Sequence, residues 1–272
     1  MRAALLAGAL LSIAAHADQK PLWEAGAGVG TFVLPDYRGS DQARGYVLPV
    51  PYFVYRGRYF KSDRHGVRGE LMETDRVELS LSLGASLPVD STHNNARSGM
   101  PDLRPSLEIG PSLDIRLWGS DDGGDFLKLR LPVRAAFTLE SSPKSIGWIA
   151  SPNLDLDLSG HGAWTGWNFG MLMGPLYGDR RQHQYFYSVA PEFATAERPA
   201  YEAPGGYAGM RFVVSASKRY SRFWLGAFVR FDTLSGASFE ESPLVRRDSY
   251  AAAGVALSWV FGASREMVEA DE

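Results

Sequence analysis

The side chains that could do chemistry in this sequence are few and poorly grouped. Its five histidines are His16, His65, His93, His161 and His183, and none is spaced from another as a pair of metal ligands would be. His93 with Ser98 and His161 with Ser159 are the only places where a base lies near a hydroxyl in the chain. Neither sits in a recognisable nucleophile motif, and acyl transfer also needs hydrogen-bond contact and an oxyanion site. Asp121, Asp122 and Asp125 share a Gly-rich turn but lack the alternating ligands of a calcium loop, which favours a solvated turn. There is no cysteine, so disulfides, thiolate metal sites and a Cys nucleophile are excluded together. A non-enzymatic chain without metal or cofactor is expected.

The remaining candidates are charges placed at every second residue of otherwise apolar stretches. Glu108, Asp114 and Arg116 alternate with Leu107, Ile109, Leu113, Ile115 and Leu117; Lys128, Arg130 and Arg134 alternate with Leu127, Leu129, Leu131 and Val133. Arg211 lies in a weaker stretch over Tyr207 to Arg219, and Arg230 and Asp232 stand opposite Leu225, Ala227, Val229 and Phe231. Arg76, Glu78, Asp155 and Asp157 fall on the same kind of face. Both signs occur in similar numbers, which points to a salt-bridged interior more than to a selective pore.

A period of two residues is the mark of a β-strand whose faces meet different surroundings. It runs cleanly through Val77 to Val89 and through Tyr250 to Phe261. Weaker segments lie near Trp23 to Val33, Tyr46 to Tyr55, Tyr59 to Glu70, Ile149 to Leu158, Trp164 to Leu176 and Tyr185 to Glu192. The total is about twelve strands of roughly ten residues, an even number that suits a closed antiparallel barrel. No segment shows a helical period. Turn-rich connections include Pro35 to Gly45, Asp90 to Arg104, Thr195 to Gly206 and Ser235 to Arg247.

The N-terminus reads Met1-Arg2, then an apolar run to Ala15, then Ala15-His16-Ala17, the order of a cleaved secretory signal peptide over residues 1–17. Beyond Ala17 no apolar run approaches the roughly 18 residues of a membrane helix, so a membrane span would have to be made of strands. Lys+Arg 28 against Asp+Glu 31 gives a net charge of -3 and no general attraction to nucleic acid. Hydrophobic residues at 45% suit a soluble protein as well as a membrane barrel. Period alone cannot say which face is inside. Aromatic residues crowd the strand ends, at Trp23, Tyr46, Tyr55, Trp118, Trp148, Trp164, Tyr207, Tyr220, Trp259 and Phe261, as in the girdles of a membrane barrel. The expected fold is therefore all-β: a transmembrane barrel over residues 18–262 in the cell outer membrane, surrounded by lipid. A polar C-terminal tail, 263–272, follows Phe261 and Gly262. Counting crossings from a periplasmic N-terminus makes Asp90 to Arg104 a periplasmic turn of unusual length.

Several stretches resemble the MltA-interacting protein family (MipA/OmpV). They are Leu34-Pro35-Asp36-Tyr37-Arg38-Gly39-Ser40-Asp41, Leu48-Pro49-Val50-Pro51-Tyr52-Phe53, Asp63 to Gly69, Leu87-Pro88-Val89-Asp90, Gly99-Met100-Pro101-Asp102-Leu103 and Glu108 to Leu113. The resemblance implies an outer-membrane barrel acting as a scaffold that links a periplasmic lytic transglycosylase to a bifunctional murein synthase. Other members are described as osmotically regulated proteins or adhesins. Physically, Pro35-Asp36-Tyr37-Arg38-Gly39 is an ordered turn: proline fixes one dihedral, aspartate bonds the backbone, and glycine permits a left-handed residue. A scaffold for murein-processing enzymes is the first expectation, contacting them through loops such as Asp90 to Arg104. A small-solute channel is the second, and an outer-membrane phospholipase with its Ser and His pair on the barrel wall is a remote third.

Overall fold

The computed structural model describes residues 19–56, 60–63, 66–69, 72–73, 76–119 and 125–269. The signal-peptide reading at 1–17 and the Asp121 and Asp122 turn lie outside them. The described chain is mostly strand: β1 (Gln19–Pro21), β2 (Trp23–Pro35), β3 (Ala43–Arg56), β4 (Phe60–Asp63), β5 (Gly66–Gly69), β6 (Met72–Glu73), β7 (Val77–Ser86) and β8 (Ser106–Gly119). There follow β9 (Phe126–Thr138), β10 (Ser145–Ala150), β11 (Asn153–Ser159), β12 (Trp167–Gly178), β13 (Gly206–Arg219), β14 (Phe223–Thr233), β15 (Ser249–Ala263) and β16 (Met267–Glu269).

All but two of these form one antiparallel sheet in the order β5-β4-β3-β2-β15-β14-β13-β12-β10-β9-β8-β7-β6, with β11 also between β12 and β9. β10 and β11 continue one line, interrupted at Ser151 and Pro152, where proline has no N–H for the ladder. The last long strand pairs with the first, Val255 opposite Thr31 and Leu257 opposite Val29. β5, at one end of the order, lies beside β7, next to the other end. β1 and β16 form a separate two-stranded ladder, Lys20 opposite Val268, so part of the C-terminal tail is tied to the start of the described chain.

The two faces of the sheet are inverted relative to a water-soluble protein. β15 alternates without a fault from Tyr250 to Phe261, and it is Val255, Leu257, Trp259 and Phe261 that are exposed while Gly254, Ala256 and Ser258 are buried. Across the sheet Val29, Val47, Leu83, Val133, Val214 and Val229 are exposed, whereas Asp114, Lys128, Arg134 and Asp157 are buried. The charged face is the interior one.

Two expected strands differ. Tyr59 to Glu70 is, where described, not one crossing but the hairpin β4–β5, with Asp63 opposite Gly66. Tyr185 to Glu192 is not a strand: α1 (Arg180–Tyr187) covers its beginning and a 3-10 turn at Pro191–Phe193 its end. The added crossing and the lost one together reverse the direction of every strand between them. Strands that alternate in direction then bring segments 36–42, 87–105, 139–144, 179–205 and 234–248 to one end, distal to the paired termini. Asp90 to Arg104 thus lies at the end opposite the N-terminus, contrary to the expectation, and its length is no anomaly there.

Candidate functional site

The distal segments fold onto one another and cap the sheet. At their centre is the Pro35-Asp36-Tyr37-Arg38-Gly39 turn. It closes locally through Ser40 N–H to Tyr37 C=O at 3.1 Å and Asp36 N–H to Gln42 C=O at 3.0 Å. Gly39 takes a φ of +88°, a left-handed value that explains glycine there, and its carbonyl accepts from the N–H groups of Arg246 at 2.7 Å and Arg247 at 3.1 Å. Asp36 accepts from Arg44 Nε at 2.8 Å and from Asn94 Nδ2 at 2.8 Å. Tyr37 is buried and donates to Leu244 C=O at 2.8 Å. Arg38 donates to Ala208 C=O at 2.7 Å, and its own carbonyl accepts from Tyr187 Oη at 3.1 Å. Asp36, Tyr37, Arg38 and Gly39 therefore fasten segments 87–105, 179–205 and 234–248 to one turn.

Around this turn Val89, Leu103, Tyr187, Val189, Leu234, Phe239 and Leu244 form an apolar core. Tyr187 and Phe239 stack at 3.7 Å between ring centroids. Burial pushes the Tyr37 and Tyr187 phenols well above their ordinary range. Two buried arginines pin the loops by donating to backbone carbonyls. Arg97 reaches Phe186 and Pro101, each at 3.1 Å; Arg198 reaches Ala96 at 3.0 Å, Ser98 at 2.9 Å and Phe193 at 2.7 Å. His183, wholly buried on α1, has Nδ1 2.7 Å from the Pro204 carbonyl, which can only accept, so Nδ1 carries the proton. Its Nε2 has no hydrogen-bond partner among the described residues, and burial holds its pKa below the ordinary 6.5.

Beneath the cap the predicted interior charges meet in opposite-sign groups. Arg134 Nε lies 2.9 Å from Glu108, and its Nη1 donates to Ser82 at 3.1 Å. Arg130 bridges Asp114 at 3.3 Å and Asp155 at 3.4 Å, while Ser80 and Ser112 hydrogen-bond to Asp114 at 3.1 and 2.5 Å. Lys128 lies 3.5 Å from Glu78. Asp232 is fully buried and gathers Arg38 at 3.4 Å, Arg211 at 3.2 Å and Arg230 at 3.5 Å, with the Tyr250 hydroxyl as a further donor. Arg116 lies on the same face, half-buried in β8. Arg38 joins the motif turn to this face, so cap and charge network are one construction.

The candidate catalytic pairs are not assembled. His93 Nδ1 lies 2.7 Å from Asp90 Oδ2 and 3.0 Å from Thr92 Oγ1, and His161 Nε2 lies 3.8 Å from Asp125, rather than against Ser98 or Ser159. Hydrogen bonds from Thr92 and His93 hold the Asp90 carboxyl down to about 2. Among the described residues no group of three His, Asp or Glu is arranged to hold a metal ion.

Sequence reasoning missed His183, Arg97 and Arg198, and with them the cap. One local signal was present: Asp179 caps α1 by accepting from Gln182 N–H at 2.8 Å, the acid-then-Gln spacing that opens helices. The arginines carry no such mark, since their partners are carbonyls up to a hundred residues away.

The family model described as MltA-interacting protein MipA matches residues 27–261. No curated protein matches the chain. Among solved structures, the crystal structure of the Ralstonia pickettii toluene transporter TbuX aligns at 10% identity over 92% of this chain and 71% of that one, with a TM-score of 0.27.

Proposed function

Because the chain belongs to the MltA-interacting protein family, we propose that it is a closed outer-membrane β-barrel serving as a non-enzymatic scaffold for periplasmic murein-processing enzymes. The family match supports a lytic transglycosylase as the partner, and in this reading a bifunctional murein synthase is held with it. The inverted faces support the membrane. A band of exposed valine and leucine side chains suits hydrocarbon, and the ion-paired opposite face suits a filled lumen. Trp23, Trp118, Trp164, Tyr220, Trp259 and Phe261 are exposed toward the terminal end, the place of an interfacial girdle. The pairing of β15 with β2, and β5 beside β7, support closure.

In this reading the termini are periplasmic, the cap faces outward, and enzymes are held at the terminal end. The test is retention of a lytic transglycosylase by the full-length barrel in detergent. Wild-type protein and a variant lacking Asn94 to Gly99 in the cap should both retain it; a variant whose 160–166 turn is replaced by Gly-Ser residues should retain less. Failure of the wild type to retain any murein enzyme would sink the scaffold reading. A channel is the second reading, favoured only by a cavity in the buried face. Planar-bilayer recording should show no steady open conductance, because paired charges and the cap occupy the path.

A further inference from the structure

Positive charge is in excess beneath the cap. Arg211, Asp232 and Tyr250 are register partners across β13, β14 and β15, and Arg230 stands two residues before Asp232 on the same inward face. Arg38 reaches the group from the motif turn. Three guanidiniums thus meet one carboxylate, and among the described residues no second acid lies within salt-bridge distance of them. Two positive charges are left uncompensated on the interior face, where an unpaired charge is costly.

The one carboxylate has no capacity to spare. Asp232 Oδ1 accepts from Arg211 Nε at 3.2 Å. Its Oδ2 takes the Tyr250 hydroxyl and faces Arg38 Nε at 3.4 Å and Arg230 Nε at 3.5 Å. Donors remain over on all three arginines. Arg38 uses Nε on Tyr250 and Nη1 on Ala208 C=O, and its Nη2 is buried with no hydrogen-bond partner among the described residues. Arg230 Nε is likewise buried without a hydrogen bond, its guanidinium carbon 5.8 Å from the centroid of the Tyr250 ring. Arg211 donates through Nε alone. Asp232 is sealed, whereas the Arg38, Arg211 and Arg230 side chains keep 17%, 27% and 24% exposure, so their outer faces can still be reached. Phe228, the next inward residue of β14, lines a cavity of about 310 Å³, which gives a small ion room to approach Arg230 from inside the sheet.

A guanidinium is a planar fork of N–H donors that stays charged at any accessible pH, and it pairs with oxyanions through two donors at once. An ion with two negative charges would restore neutrality here, and a tetrahedral oxyanion has lone pairs enough for donors from three forks. We propose that Arg38, Arg211 and Arg230 form a binding site for a small divalent oxyanion of the phosphate or sulfate type, held against the spare donors while Asp232 fixes the arginines from the other side. The ligand is a free ion and not a lipid headgroup, because the group faces the interior beneath the cap. The site does not rest on the scaffold reading, and enzyme retention has no bearing on its test.

The probe is sodium sulfate, titrated by calorimetry into the full-length protein in detergent against a constant background of sodium chloride, so that general screening is not read as binding. Sulfate should bind saturably at one site. Arg230→Gln and Arg211→Gln, which keep an amide donor but lose the charge, should each weaken it at least about tenfold. Asp232→Asn removes the competing negative charge and should tighten it at least about threefold, a direction that mere loosening of the cap would not produce. Arg180→Gln, on the exposed surface of the cap, should leave it unchanged. Each variant is checked for native folding by heat-modifiable gel migration, and the two glutamine variants stand in for one another if either fails that check. No saturable binding, an affinity untouched by the loss of Arg230 or Arg211, an equal loss in Arg180→Gln, or weaker binding by a folded Asp232→Asn protein would overturn the proposal.

Discussion

Among the described residues three arginines converge on Asp232, which is fully buried with Arg38, Arg211, Arg230 and the Tyr250 hydroxyl around one carboxylate. Three guanidiniums against one acid are tolerable only while that acid is ionised, since each arginine stays charged at any accessible pH. Asp232→Ala should therefore cost about 3–5 kcal/mol, as expected when one partner of a buried charge group is removed. Asp232→Asn, which keeps hydrogen-bonding atoms, should cost less. Urea titration followed by heat-modifiable migration checks both. Gly39 is the second exacting position. Its φ of +88° and the proximity of Leu234, 2.7 Å from where a Cβ would sit, leave no room for a side chain. Gly39→Ala should cost roughly 1–3 kcal/mol and speed hydrogen exchange in segments 36–42 and 234–248. That five-residue motif was legible as an ordered turn because Pro, Asp and Gly each restrict or free specific dihedrals. Its fastening of the cap was not legible, because Tyr37 to Leu244 and Arg38 to Ala208 are contacts between segments that only the strand order brings together.

The element that sequence periodicity misjudged is α1. Eight residues are too few for an isolated helix to hold in water, so its propensity signal is weak and its stability comes from packing. His183 and Tyr187 fall one turn apart and both lie in the cap core, whereas the alternation of Tyr185, Tyr187 and Val189 mimics a strand. The strands themselves were legible because their two faces meet different surroundings, an imprint no short capped helix leaves. His183 gives α1 a dependence on pH. Burial is the larger cause of its lowered pKa and Arg38 adds to it, while the Pro204 carbonyl and Asp179 oppose it. The unfolded segment therefore binds the proton more readily than the folded one. This contribution to stability is complete above the unfolded value of 6.5 and is lost as pH falls below it toward and through the lowered folded pKa. Hydrogen exchange in residues 179–205, corrected for intrinsic rates, should show weaker protection at acid pH than at neutral pH. His183→Gln, which keeps a donor near Pro204 but does not titrate, should remove that difference. The same loss of protection in the glutamine variant would mean that another group governs the cap.

For the whole molecule, the decisive feature is which face is dry. Sequence alternation reported two faces but was symmetric between a soluble barrel with an apolar centre and a membrane barrel with a charged one. Burial breaks that symmetry. Glu108 with Arg134 and Asp114 with Arg130 pair across β8 and β9 on the buried face, while Val229 and Val255 are exposed on the other. The consequence is measurable at Val255, in the middle of β15 and half exposed at 50%. On a surface meeting water, Val255→Arg would be worth no more than about 0.5 kcal/mol either way. On a lipid-facing strand near the bilayer midplane, it should cost about 2–4 kcal/mol. Folding into phosphatidylcholine vesicles, titrated with guanidinium, should show that loss for Val255→Arg and almost none for Glu202→Arg on the exposed cap. Equal stabilities for the two variants would place water, not lipid, against the apolar face, and would remove the ground for putting the cap outside the cell and the termini in the periplasm.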